Sequence, residues 1–119
     1  MGLAVAACAT LPVLVGPGLD TTRAVEVVDH LVPGLVVLAV STAVLVATRS
    51  TPVAGVFVLG AAMVTVLAGL WMVATHIPLV AQAGRHEAPW GSTMFHSAAA
   101  VLVLAFGLAW AWASWAGAE

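Results

Sequence analysis

The chain has 119 residues, of which 63% are apolar and only 7% are charged, and its net charge is −2 at neutral pH. A soluble domain carries about 25% charged residues, so a soluble globular fold is excluded, and disorder is excluded because it requires low hydrophobicity. Nucleic-acid binding is excluded because the chain has no basic patch. We therefore expect an integral membrane protein that contacts the lipid bilayer.

Long stretches without charge predict the membrane-spanning helices, since a helix needs about 20 apolar residues to cross the hydrocarbon core. The sequence predicts an all-α, multi-pass bundle of the cell membrane, a single transmembrane domain over residues 1–119 with four helices at about 2–16, 21–48, 52–82 and 92–117. The first of these is short and contains Pro12. The alternative is therefore three helices that follow a signal-like segment.

Alternating helices place the polar segments on two faces of the membrane. Face A carries the predicted loops 16–30 and 82–92, and face B carries the two termini and the turn at Arg49. The positive-inside rule does not fix the orientation, because Arg23 and Arg85 on face A oppose one arginine and the terminal amine on face B.

Small residues recur every four positions on the last two predicted helices. On the third helix they are Ala61, Thr65 and Gly69, and on the fourth they are Ala105, Ala109, Ala113 and Gly117. Small residues at this spacing allow close approach of helices in lipid. We expect these two ridges to form helix contacts, within the chain or with another subunit.

The histidines are the most informative polar residues, because all four map to face A: His30, His76, His86 and His96. If the third helix ends near residue 81 and the fourth begins near residue 92, His76 and His96 lie about 6–8 Å below the helix ends. Ionisable groups at this depth are a default hypothesis for a functional site. His86 lies in the predicted loop, where an interfacial, solvated side chain is the simpler interpretation.

Three chemistries suit this cluster. Imidazole and carboxylate groups are ligands of copper and zinc, and the predicted ligands are Asp29, His30, His76 and His96. Alternatively, His76 and His96 are the axial ligands of a haem b, or they exchange protons with a quinone. The metal ion is favoured because four groups converge, whereas a haem needs two.

The sequence thus predicts a small membrane subunit that holds a copper or zinc ion at a His/carboxylate cluster on one membrane face. We expect it to work within a larger redox or metal-handling complex, beside other membrane subunits or its own copies, as an accessory subunit rather than an enzyme. The competing hypothesis is a structural or assembly subunit without a cofactor, in which the polar groups of face A bind a partner.

Overall fold

The computed structural model describes Val25, residues 27–50 and residues 55–117. This part of the chain is helical, and it forms one turn of π-helix followed by three α-helices: the π turn Val27–Leu31, α1 (Val32–Ser50), α2 (Gly55–Gly84) and α3 (Trp90–Ala116). Three spans are long and apolar enough to cross a membrane. The prediction of an all-α, multi-pass membrane fold agrees with this architecture.

The prediction of four helices is not confirmed. Three of the predicted helices correspond to α1, α2 and α3, whereas the predicted helix at 2–16 lies outside the described residues. The α2–α3 connection is shorter than predicted, since α2 ends at Gly84 rather than at about residue 82 and α3 begins at Trp90 rather than at about residue 92.

Two glycines hold α2 and α3 in backbone contact. A Cβ atom on Gly69 would lie 2.6 Å from the Leu104 backbone, and one on Gly107 would lie 2.8 Å from the Val66 nitrogen. Any larger side chain at either position would hold the helices apart. Close packing of this kind drives helix association in lipid, where the hydrophobic effect between helices is absent.

One of the two predicted small-residue ridges forms this contact. Ala61, Thr65 and Gly69 are buried on α2, as expected. The ridge predicted on α3 does not form this contact, because its members are exposed, and its packing against another subunit stays a prediction: Ala105, Ala109, Ala113 and Gly117. The buried side of α3 instead contains Thr93, His96 and Gly107. Polar side chains must face the bundle interior in a membrane, and they set the rotation of this helix.

The apolar core joins all three helices beside the polar end of the bundle. Met72 of α2 and Val37 of α1 are fully buried and pack against residues of α3, namely Ala99, Ala100 and Val103. Small residues on α3 allow the larger Met72 side chain to fill the space between the helices. This core lies one helical turn from the buried histidines of α2 and α3.

The α2–α3 connection is a Schellman-type helix end. The amide of Glu87 donates to the carbonyl of Gln82, and the amide of His86 donates to the carbonyl of Ala83, at 2.9 and 3.0 Å. His86 adopts a left-handed conformation with φ 61°, at the position that glycine usually occupies in this motif. The exposed His86 side chain therefore belongs to a helix cap.

Candidate metal centre

His30 reaches the bundle interior from the π turn. A π turn is wider than an α-turn and is frequent at functional sites. Pro33 follows three residues later; it cannot donate to the Asp29 carbonyl, and its ring crowds that carbonyl in an ordinary α-helix. The wider turn just before Pro33 relieves this crowding, and His30 is completely buried there.

His76 is oriented by its own helix. Its Nδ1 atom donates to the carbonyl of Met72, one turn earlier on α2. A neutral imidazole that donates through Nδ1 keeps its lone pair on Nε2. The Nε2 atom of His76 is therefore an acceptor or a metal ligand, and it points at His30.

His96 lies on the facing side of α3 at a matching depth. It is six residues inside the start of α3 at Trp90, and His76 is eight residues inside the end of α2 at Gly84. These separations correspond to about 9 and 12 Å along the helices. Both histidines lie deeper than the 6–8 Å expected from the sequence, because both helices extend further toward the connection.

The three imidazoles converge through their Nε2 atoms. The Nε2 atom of His30 lies 3.1 Å from that of His96 and 3.2 Å from that of His76. The rings of His96 and His76 stand nearly edge-on to the ring of His30, at 84° and 72°. One ligand atom from each residue lies within 4.8 Å of the other two. We call this group the three-His centre.

The three-His centre is secluded from solvent and is built from imidazole groups. The relative exposures of His30, His76 and His96 are 0, 3 and 8%. Within the described residues, neither a carboxylate nor a thiolate joins this group. Three nearby polar atoms are buried without a hydrogen-bond partner, and they are His30 Nδ1, Thr93 Oγ1 and Ser97 Oγ.

Three of the four predicted metal ligands come together in this centre, namely His30, His76 and His96. Asp29 is half-buried on the π turn and is not part of the group. Glu87, in the loop, forms an exposed ion pair with Arg85. The polar residues Asp20, Arg23 and Glu26 lie outside the described part of the chain.

Sequence reasoning missed the hydroxyls of Thr93 and Ser97. Their spacing from His96, three residues before and one after, is a usable signal, since Thr93 falls on the same helix face as His96.

No family model, no curated protein and no solved structure matches the chain. What the arrangement offers chemically is a buried set of three imidazole donors, which suits zinc, copper and other first-row transition metals.

Proposed function

We propose that this chain is a multi-pass membrane protein that binds one transition-metal ion at the three-His centre. The convergence of the three Nε2 atoms carries this proposal. A tetrahedral ion with metal–nitrogen bonds of about 2.0–2.1 Å keeps neighbouring nitrogens about 3.3 Å apart. The two separations from His30, 3.1 and 3.2 Å, are close to that value, and the ligand atoms of His76 and His96 lie within 4.8 Å of each other.

Hydrogen bonding alone does not satisfy this arrangement. The Nε2 atom of His30 faces two other Nε2 atoms, yet each imidazole nitrogen has either one hydrogen or one lone pair. The Nε2 atom of His30 can therefore form a hydrogen bond with one of these two atoms but not with both at once. An ion that accepts the lone pairs of all three nitrogens removes this conflict.

We propose copper in its cuprous state as the ion, in preference to zinc. Imidazole suits both metals, but the centre lacks a carboxylate or thiolate to neutralise a divalent charge, among the described residues. The cost of burying an ion in a medium of low dielectric constant rises with the square of its charge. A monovalent ion therefore carries about a quarter of the desolvation cost of a divalent one.

A haem is less well supported by this geometry. Axial ligation by His76 and His96 requires a planar macrocycle between their two rings. The ring of His30 instead contacts both of them, with centroid distances of 4.8 and 4.6 Å. The third imidazole thus occupies the position that the macrocycle would need.

We also propose that the chain acts as a metal-handling accessory subunit of a larger redox or metal-handling membrane complex. Three protein ligands leave a tetrahedral ion with one position for another donor, as in metal sites that exchange ligands. A donor from a partner subunit or from a transferred ligand suits this position. The small bundle supports an accessory role, and three cavities along its described helices are open grooves between helices.

Metal binding by the purified protein tests the proposal. We would load the protein in detergent micelles with Cu(I) without oxygen, and separately with Zn(II), and measure the metal content and the affinity by competition with a chelator. One copper per chain is expected, with tighter binding of Cu(I) than of Zn(II). His30→Ala, His76→Ala and His96→Ala should each lose the metal while far-UV circular dichroism shows unchanged helix content.

His86→Asn is the matched control, because this histidine is exposed and asparagine tolerates its left-handed backbone. It should bind copper as the wild type does. Equal copper content in the wild type and in all three alanine variants would refute the metal centre. A haem absorption band lost on substitution of His76 or His96 would replace it with the haem hypothesis.

A further inference from the structure

A groove between α2 and α3 runs beside the three-His centre. Its volume is about 330 Å³, at the small end of the range for ligand pockets. Six of its lining residues are apolar, and they are Val73, Ile77, Val80, Ala81, Ala100 and Val101. Ile77 and Val101 are exposed, so the groove opens toward the lipid.

Two polar residues complete the groove, His76 and Ser97. The Ser97 Oγ atom is buried and has no hydrogen-bond partner. Serine and threonine in a helix ordinarily donate to the carbonyl one turn earlier. In this chain Ser114 donates to the Trp110 carbonyl at 2.8 Å, and Thr65 donates to the Ala61 carbonyl at 3.0 Å. Ser97 departs from this pattern, so its covered hydroxyl is free to turn toward the groove that this residue lines.

A buried hydroxyl without a partner is costly in an apolar environment, since water is absent there. A hydrocarbon chain in the groove leaves that cost in place, whereas a ligand with a hydroxyl or carbonyl oxygen removes it. The otherwise apolar lining selects a neutral ligand, because a charged one loses its hydration without gaining a counter-ion.

We propose that this groove binds a neutral, lipid-soluble molecule with a single-ring phenol or quinol head group, whose oxygen hydrogen-bonds to Ser97 Oγ beside His76. The volume accommodates one ring and a short alkyl tail. In the quinone hypothesis drawn from the sequence, His76 and His96 exchange protons with the head group. In this proposal the head group instead contacts Ser97. This site stands independently of the metal, since its walls and its hydroxyl are formed by protein atoms alone.

Competition labelling in phosphatidylcholine nanodiscs tests this proposal. A diazirine derivative of 4-hexylphenol labels the protein on illumination, and mass spectrometry maps the labelled residues. Unmodified 4-hexylphenol or hexylbenzene, each at the same mole fraction in the bilayer, then competes with this label. The label is expected on the groove residues Ile77 and Val101. Hexylphenol should compete about 3- to 10-fold better than hexylbenzene, as expected for one net hydrogen bond.

Ser97→Ala should remove the advantage of the phenol. Ser41→Ala is its matched control, because Ser41 Oγ is also buried without a partner but lines a different groove, between α1 and α3. Ala81→Phe should block labelling, since Ala81 lies exposed on the groove wall. Ala98→Phe, at an exposed position of α3 outside the groove, should leave labelling unchanged.

Equal competition by hexylphenol and hexylbenzene would overturn the proposal and show that the groove holds lipid acyl chains only. Labelling concentrated along Ser41 would assign the ligand to the other groove and would overturn it as well. His96→Ala separates this site from the metal centre. That variant should lose copper and still bind hexylphenol, because His96 does not line the groove.

Discussion

Gly69→Ala adds one methyl group at the contact between α2 and α3, and we expect it to destabilise the helix pair. The new Cβ atom would lie 2.6 Å from both the Cα and the nitrogen of Leu104, about 0.8 Å short of ordinary contact at 3.4 Å. The atoms it meets belong to the backbone of a helix, so rotation of a side chain cannot relieve the overlap. The two helices must move apart or bend.

The magnitude follows from two opposing effects. Overpacking costs about 1–3 kcal/mol, and we expect about 2–3 kcal/mol here because backbone atoms are involved. Alanine gains about 1 kcal/mol over glycine in a helix interior, so the net loss is about 1–2 kcal/mol. Gly60→Ala is the matched control on the same helix. A Cβ there has no neighbour within 4 Å, so only the gain of about 1 kcal/mol remains.

The free energy of unfolding is measurable in mixed detergent micelles by titration with sodium dodecyl sulfate, followed by far-UV circular dichroism. Gly69→Ala should unfold earlier than the wild type and Gly60→Ala later, with a gap of about 2–3 kcal/mol between the variants. Gly69→Ala should also bind copper more weakly, since separating α2 from α3 moves His76 away from His96. Equal stability of the two variants would refute the backbone contact.

The remaining predictions concern the core and the α2–α3 connection, and both use the same unfolding assay. Met72→Ala should lower the free energy of unfolding by about 2–5 kcal/mol because it empties a fully buried position. Met63→Ala, at an exposed position of α2, should lower the free energy of unfolding far less. Similar losses in the two variants would contradict the assigned core. His86→Gly should raise the stability by about 1 kcal/mol, because glycine adopts φ 61° without strain. Unchanged or reduced stability of His86→Gly would contradict the left-handed cap.

The sequence predicts the helices of the described chain well because hydropathy alone identifies a membrane span. The ends are less accurate, since they depend on local capping. α2 passes Pro78 because a membrane helix tolerates proline where neighbouring groups satisfy the freed carbonyl. It ends at Gly84, and His86 closes a Schellman motif there, whereas hydropathy places the end of this helix at about residue 82.

The face of α3 that packs against α2 also differs from the face that the small-residue repeat suggests. A strict four-residue repeat from Ala105 onward suggests one packing face, but such a repeat drifts around a helix with 3.6 residues per turn. The polar residues give the better signal, because His96 and Thr93 cannot face lipid without a large cost. Gly107 lies three turns beyond His96 on the same side, and it marks the true contact face.

The three histidines of the candidate site were predictable from the sequence, but the exclusion of Asp29 and the geometry of the site were not. Alternation of the helices places His30, His76 and His96 near one membrane face without any structural knowledge. That His30 rather than Asp29 turns inward depends on the π turn before Pro33. A change of turn width rotates every following side chain, and the two residues are adjacent, so a helical period alone does not decide between them.

The glycine contact and the three-His centre are linked by the register of α2 against α3. Gly69 faces Leu104; seven residues further along α2 is His76, and eight residues back along α3 is His96. In antiparallel helices these steps of about 10 and 12 Å lead to the same height. A slip by one helical turn would displace the helices by about 5.4 Å, more than the 4.8 Å within which the ligand atoms now lie. The glycines therefore do more than stabilise the bundle, since the register they hold determines whether one ion can reach all three imidazoles.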